Sequence, residues 1–438
     1  MAAPQKSILR IILPLAILVG LGLLIAMPLL QSGGSSPQAP ATSESAQPSE
    51  AEQQAQRQDQ PEQQEQDPIE AVPTEPDPQG SDVPESLPGD IPSEQTRPDS
   101  PADPAPAGTP PTESAAIGQQ LRVLPVAGDA ASQPYSRIGG VDPAVDALEI
   151  TFSQRGAGIE RIALAGYNQR LGSAEPVPAQ QRWTLPTVSG GSISIVPFAA
   201  VTVEINGQPV GVYTATDDEG VTQPAWAQVE PGRFQATIAT ADGTPVVRLE
   251  RHYQADGSSH DFKLVHSAQN LTDEAMSIRW ITFGPAQLYQ ESQGYGGDKR
   301  RVRFGHVEPG SPHFVVGGDR MKTITQVAGK RDPSTGLYAT SMELWPDAKV
   351  NEQGLQLAWT GLTNRYFGTA VHAVADGDPT PGVAPLLTNV ERVSRVLLDP
   401  SARTESPNYI LGLQLTSPRY DLPASGSTSH TLGIYSGP

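Results

Sequence analysis

Glu250, His252, His260, Asp261 and His266 place five titratable side chains within 17 residues, the densest such group in the chain. Glu250 and His252 are two positions apart, so on a β-strand they share one face. A carboxylate beside an imidazole can pass a proton, which is what a sugar-active sandwich would need of an acid–base pair. The same residues also suit a plain solvated strand face, since a working pair needs a burial that spacing alone does not supply. Other chemistry has no signature here. The chain has no cysteine, no Gly-rich loop ending in Lys-Ser/Thr and no His-Glu-x-x-His, so neither a cofactor nor a metal is expected. Gly294-Tyr-Gly-Gly-Asp298 is glycine-rich but does not join a strand to a helix, and it reads as a turn.

A second group is basic: Lys299, Arg300, Arg301 and Arg303, then Arg320, Lys322, Lys330 and Arg331. In an exported domain nucleic acid is not an expected partner, which leaves anionic lipid headgroups or an acidic protein surface. The alternative is a solvated sheet edge on which Lys and Arg deter pairing with other chains.

The elements that must position these residues are strands. Leu148, Ile150 and Phe152 alternate with polar neighbours, as do Val201, Val203 and Ile205, and Asn206-Gly207 supplies a hairpin turn before Val210 and Val212. Phe234, Ala236 and Ile238 lead to Asp242-Gly243, after which Val247, Leu249 and Tyr253 share a face. Asp256-Gly257 precedes Phe262 and Leu264, then Ile278 and Trp280; residues 409–415 and 431–435 look like closing strands. No amphipathic helix longer than two turns is expected. Many strands with one-sided alternation indicate antiparallel sheets stacked face to face, an all-β sandwich.

That sandwich occupies only the later part of the chain. All 24 aromatic residues fall at or after Tyr135, and aromatics carry much of a core. Residues 31–120 are rich in Pro, Gln, Ser and Ala, with 17 acids against two Arg (Arg57 and Arg97). Most of the net charge of −19 is therefore carried there and not by the folded body. Such a segment cannot bury enough apolar area to offset its ordering and is expected to be disordered. As a coil it would span roughly 50 Å, acting as a spacer or as a docking segment for a basic partner. Before it, Ile11–Leu30 is an uncharged run of 20 residues, enough for a helix of ~30 Å across a bilayer. Lys6 and Arg10 precede it and no basic residue follows until Arg57, so the first ten residues are expected in the cytoplasm and the rest outside. The run is longer than the apolar part of a cleavable signal peptide and lacks a small-x-small site, so a retained single-pass anchor in the inner membrane is expected. The expected segments are thus a cytoplasmic 1–10, an anchor 11–30, a linker 31–120 and a periplasmic domain 121–438.

Four stretches carry a resemblance. Leu148–Tyr167 resembles the opening of the periplasmic domain of YidC-type membrane protein insertases, where a strand ending in Phe-Ser-x-Arg-Gly-Ala leads to a second strand finishing at Tyr. Asp242–Tyr253 with His260–His266 and Asn270 is similar to that domain's central hairpin. Trp359-Thr-Gly-Leu-Thr-Asn-Arg-Tyr-Phe-Gly-Thr-Ala-Val371 is similar to its aromatic-rich Trp-x-x-Leu-x-x-x-Tyr-Phe-x-x-Ala segment. Gly433–Pro438 resembles the aromatic-x-Gly-Pro that closes the domain before the chain re-enters the membrane.

The resemblance implies a large antiparallel β-supersandwich, the fold shared with galactose mutarotases, behind an N-in anchor. It implies a monomeric domain without catalysis that assists the insertion and folding of inner-membrane proteins through contacts with the Sec translocon or nascent membrane proteins. In that family insertion itself is done by a following five-helix membrane region, whose groove carries an Arg. No second apolar span precedes Pro438, so no groove residue is carried over to this sequence, and either a fragment of a longer insertase or a stand-alone relative is expected. Two other readings remain on the same fold: a mutarotase-like enzyme using Glu250 and His252, and a membrane-anchored envelope-binding protein.

Overall fold

The computed structural model describes residues 120–126, 136–187, 190–288, 298–310, 320–374, 385–401 and 410–438. The expected membrane helix, the acidic linker up to residue 119, most of the Gly294–Asp298 turn and Tyr409 lie outside the described residues. Among the described residues no helix is long and apolar enough to cross a membrane.

The chain runs through β1 (Leu121–Val123), β2 (Arg137–Gly139), β3 (Leu148–Ser153), β4 (Gly158–Asn168), β5 (Pro176–Gln181), β6 (Trp183–Pro186) and β7 (Ser192–Ile195). It continues through β8 (Ala200–Ile205), β9 (Gln208–Gly211), β10 (Ala215–Thr216), β11 (Thr222–Gln223), β12 (Ala227–Glu230) and β13 (Arg233–Thr240). Next come β14 (Pro245–Gln254), β15 (Asp261–Asn270), β16 (Met276–Ala286), β17 (Arg301–Val307), β18 (Arg320–Thr323) and β19 (Ser341–Trp345). The last are β20 (Gln356–Thr363), β21 (Gly368–His372), β22 (Arg392–Leu397), β23 (Leu411–Thr416), β24 (Tyr420–Leu422) and β25 (Ser427–Gly437). Among the described residues only short helices interrupt them, such as Ile324–Ala328 with a Thr323/Gln326 capping box and Ala348–Gln353 capped by Asp347.

Two large antiparallel sheets dominate. The larger has the order β1-β13-β14-β15-β25-β21-β20-β17-β18, with β12 also on β13. The second has the order β19-β22-β23-β16-β8-β9, with β24 on β16, and β2 to β5 make a smaller sheet. Their inner faces meet in one core. Trp280 of β16 packs 4.8 Å from the His266 ring of β15, and Phe304 of β17 stacks 5.7 Å from Trp345 of β19. Phe152 of β3 closes one side of that core against Phe234 and Tyr253, at 5.8 and 4.9 Å. The fold is the all-β antiparallel sandwich that the alternation indicates.

Local rules explain most of the strands. In β14, Val247, Leu249 and Tyr253 point inward while Arg248, Glu250, His252 and Gln254 point outward or lie half-buried. Asn206 (φ 50°) and Gly207 (φ 81°) are both left-handed and join β8 to β9, the turn that Asn-Gly favours because its twist matches the strands. One expectation needs correcting. Val201 does not share the buried face of Val203 and Ile205: the ladder with β16 shifts between Thr202 and Ala200, so Ala200 is buried and Val201 is left half-buried in a bulge. The final strand is also longer than residues 431–435, and it lies in the middle of its sheet.

Candidate functional site

The five titratable residues chosen from the sequence do not form one site. Glu250 and His252 do share the outward face of β14, as their spacing predicts. Glu250, however, accepts hydrogen bonds from Arg233 Nε (2.9 Å) and Nη2 (3.1 Å) and from Gln235 Nε2 (3.0 Å). Burial pushes its carboxyl up, but the bonds from Arg233 and Gln235 outweigh that and hold it below the usual value. A carboxylate so held is a poor proton carrier. His252 and Asp261 line a shallow hollow of about 450 Å³ with Ile138, Pro231 and Asp256, and Glu250 is not among its lining residues.

His266 belongs to the opposite face and is a correction to the cluster: β15 turns it inward, where it is 1% exposed. There it meets Arg251 of β14 and His430 of β25, two residues that the sequence reading did not single out. Arg251 is fully buried, and its Nη1 and Nη2 donate to the backbone carbonyls of Gly156, Ala157 and Phe198. These carbonyls belong to the bends before β4 and β8, so the guanidinium ties the small sheet and the second sheet to the large one. Burial, and then the nearby Arg251, depress both imidazoles; His430 is held down to about 3. This is an arrangement for stability inside the core, where Arg251, His266 and His430 are all buried.

The outward face over β17, β20, β21 and β25 is built differently. The register sets Gly305 opposite Trp359, Trp359 opposite His372, and His372 opposite Gly433. A methyl group placed on Gly305 would run into the Trp359 indole, and one on Gly433 into the His372 ring, so both rings lie flat on bare backbone. His260 covers Gly437 in the same manner. His372 is then fixed from both sides, with Nε2 2.9 Å from Asp261 Oδ1 and Nδ1 2.9 Å from the carbonyl of Ala373. Beside this floor the turn after β20 raises Tyr366 and Phe367, and Tyr167 from the end of β4 meets Phe367 edge-on at 5.5 Å. The result is a groove of about 470 Å³ lined by Trp359, Tyr366, Phe367, Tyr435, Arg303 and Arg365 among others. Trp359, Tyr366 and Phe367 could have been found from the sequence as an aromatic cluster; His372 could not, because its partner Asp261 is 111 residues away.

The basic residues are dispersed. Arg301 and Arg303 face outward on β17, and Arg303 Nε donates to Thr363 Oγ1 at 3.0 Å. Arg300 is buried and holds Asp298 through Nε and Nη2, while Lys299 next to it is exposed. Lys322 sits opposite the buried Val302 and reaches Asp347 Oδ2 at 3.7 Å. Arg320 starts the same strand, β18, which is an edge of the large sheet. Arg331 lies over Tyr338, 5.0 Å from its centroid. The group is therefore no single patch. Its β18 part fits an edge that repels pairing, and its Arg303 part joins the groove. Among the described residues no group of three His, Asp or Glu could hold a metal.

No protein-family model matches the chain, and no curated protein matches it. Solved structures do. A galactose mutarotase-related enzyme from Lactobacillus acidophilus matches at 10% identity and a TM-score of 0.36, over 69% of this chain and 97% of that one. An aldose epimerase homologue from C. elegans matches at 10% identity and a TM-score of 0.34, over 69% and 98%. A galactose mutarotase-like protein from Lactobacillus casei matches at 9% identity and a TM-score of 0.30, over 69% and 99%. Likeness at this level carries no argument about activity.

Proposed function

We propose that this chain is a membrane-anchored, exported binding module of the kind found outside the membrane core of YidC-type insertases. In this reading it assists inner-membrane protein insertion by contacting the Sec translocon or nascent membrane proteins, without catalysis. One observation carries it. Three of the four stretches that resemble the insertase domain, far apart in sequence, supply neighbouring strands: β14, β15, β25, β21 and β20 are consecutive in the large sheet, while the first forms β3 and β4 of the smaller sheet. The first stretch joins them through Tyr167 against Phe367. Photo-crosslinking of the full-length protein from Tyr366 in cells is the test. Crosslinks to translocon subunits or to nascent membrane proteins support the reading, and crosslinks confined to peptidoglycan remove it.

A sugar-active enzyme is the second reading, favoured by the hollow that His252 and Asp261 share. It requires sugar epimerisation by the purified protein that a His252→Ala variant loses.

A further inference from the structure

We propose that Asn206 is a modification site, an asparagine set up to deamidate whose reaction is held off by a latch that the fold closes. The chemistry starts from the sequence. Of the chain's seven asparagines only Asn206 precedes a glycine. With no side chain on Gly207 in the way, the Gly207 backbone nitrogen can attack Asn206 Cγ. The new N–C bond closes a cyclic imide as ammonia leaves, and water then opens the ring to aspartate or isoaspartate. No other co-reactant is needed. The step runs only when the attacking and attacked atoms can reach an aligned contact.

The structure restrains that approach while leaving the residue in solvent. Asn206 is exposed, so burial does not protect it. Instead one residue of β16 grips it twice: Asn206 N donates to the Ser277 carbonyl at 2.9 Å, and Ser277 N donates to Asn206 Oδ1 at 2.7 Å. The carboxamide is thereby tethered to β16 and is not free to swing onto the Gly207 nitrogen. The backbone is fixed as well. Asn206 (φ 50°) and Gly207 (φ 81°) are both left-handed, and Ile205 just before them pairs with Gln208 and with Ile278. Ser277 lies 71 residues farther along the chain, so the latch exists only once β16 has paired with β8. Asn206 therefore marks the time the chain spends before that pairing. The fold accepts one product. An aspartate at 206 keeps an acceptor for Ser277 N and lies near Arg419, whose Nη2 is 3.8 Å from where a Gly207 methyl would be. Isoaspartate lengthens the backbone of the turn and breaks the register of Ile205 with Gln208.

The test compares three samples in heavy-oxygen water at mildly alkaline pH: the full-length protein in detergent, the same protein in concentrated urea, and a peptide of residues 202–211. Incorporation of the heavy oxygen at residue 206 is followed by mass spectrometry. In urea it should appear at Asn206 before any other asparagine and at the peptide's rate. In the folded protein it should appear at least about tenfold more slowly, the reduction expected of a turn that opens only locally and briefly. Asn206→Asp should fold with an unchanged denaturant midpoint, whereas Asn206→Ala, which loses the acceptor for Ser277 N, should lower it. Equal rates in the folded protein and the peptide would overturn the latch. An unfolded protein that modifies other asparagines first would overturn the assignment of the site.

Discussion

Arg251 Nη2 lies 3.4 Å from His266 Nε2 in the middle of the sandwich. A guanidinium can only donate, so His266 accepts through Nε2 and keeps its proton on Nδ1. The neighbouring His430 ring, 4.7 Å away, is also buried. Both imidazoles must be neutral in the folded state, while the unfolded chain protonates them near 6.5. The unfolded state therefore binds more protons below pH 6.5, and acid favours it. Stability conferred by the neutral rings is present above about 6.5 and is lost as pH falls toward about 3. Each ring adds a slope of about 1.4 kcal/mol per pH unit in that window. Denaturant midpoints of the full-length protein in detergent between pH 7 and 4 should show it, and His430→Gln should flatten it by one proton's worth. An unchanged midpoint from pH 7 to 4 contradicts the arrangement.

The rings that lie on glycines give a second expectation. Gly433→Ala forces the His372 ring off the backbone, and with it the contact to Asp261. The pair is half-exposed and worth about 0.2–1 kcal/mol, so the domain should remain folded. The change should be visible in the His372 imidazole resonances, which lose their dependence on Asp261. If Gly433→Ala leaves those resonances as they were, the ring does not sit where the structure has it.

Glu250→Gln separates structure from catalysis. Its partner Arg233 is more than a third exposed, so the change should cost no more than about 1 kcal/mol. Photo-crosslinking from Tyr366 should be unaffected. A loss of sugar turnover on this substitution, were any turnover present, would instead return Glu250 to a catalytic role.

Gly207→Ala tests the Asn206-Gly207 turn. An added methyl meets nothing closer than Arg419 Nη2 at 3.8 Å, so any cost arises from the positive φ alone. About 1–2 kcal/mol is expected, read as a lower denaturant midpoint. A neutral outcome means that the turn relaxes to another type.

Much of this architecture could be read from the sequence because the sandwich obeys period-two alternation. Leu148, Ile150, Phe152, Val247, Leu249, Phe262 and Leu264 are all buried as expected. The exceptions are polar residues on inward positions. Arg251 and His266 carry the alternation on the buried face, but their side-chain types mark them as outward; the carbonyls of distant bends make the burial of Arg251 tolerable, and Arg251 in turn is the partner of His266. The bulge at Val201 escaped for a related reason: it depends on a partner strand 80 residues away, not on local composition. The groove was half legible. Its aromatics stand together in Trp359–Phe367, whereas the glycines beneath the rings come from strands whose adjacency no short window reveals.

The position of β25 has a consequence for folding. Residues 427–437 hydrogen-bond to β15 on one side and to β21 on the other. Without that strand the large sheet is two halves, each with a long unsatisfied border open to pairing with other chains. Residues 261–269 pair with 427–435, so the seam between the halves is a distant contact whose loop-closure entropy must be met before it gains anything, and it is expected to form late.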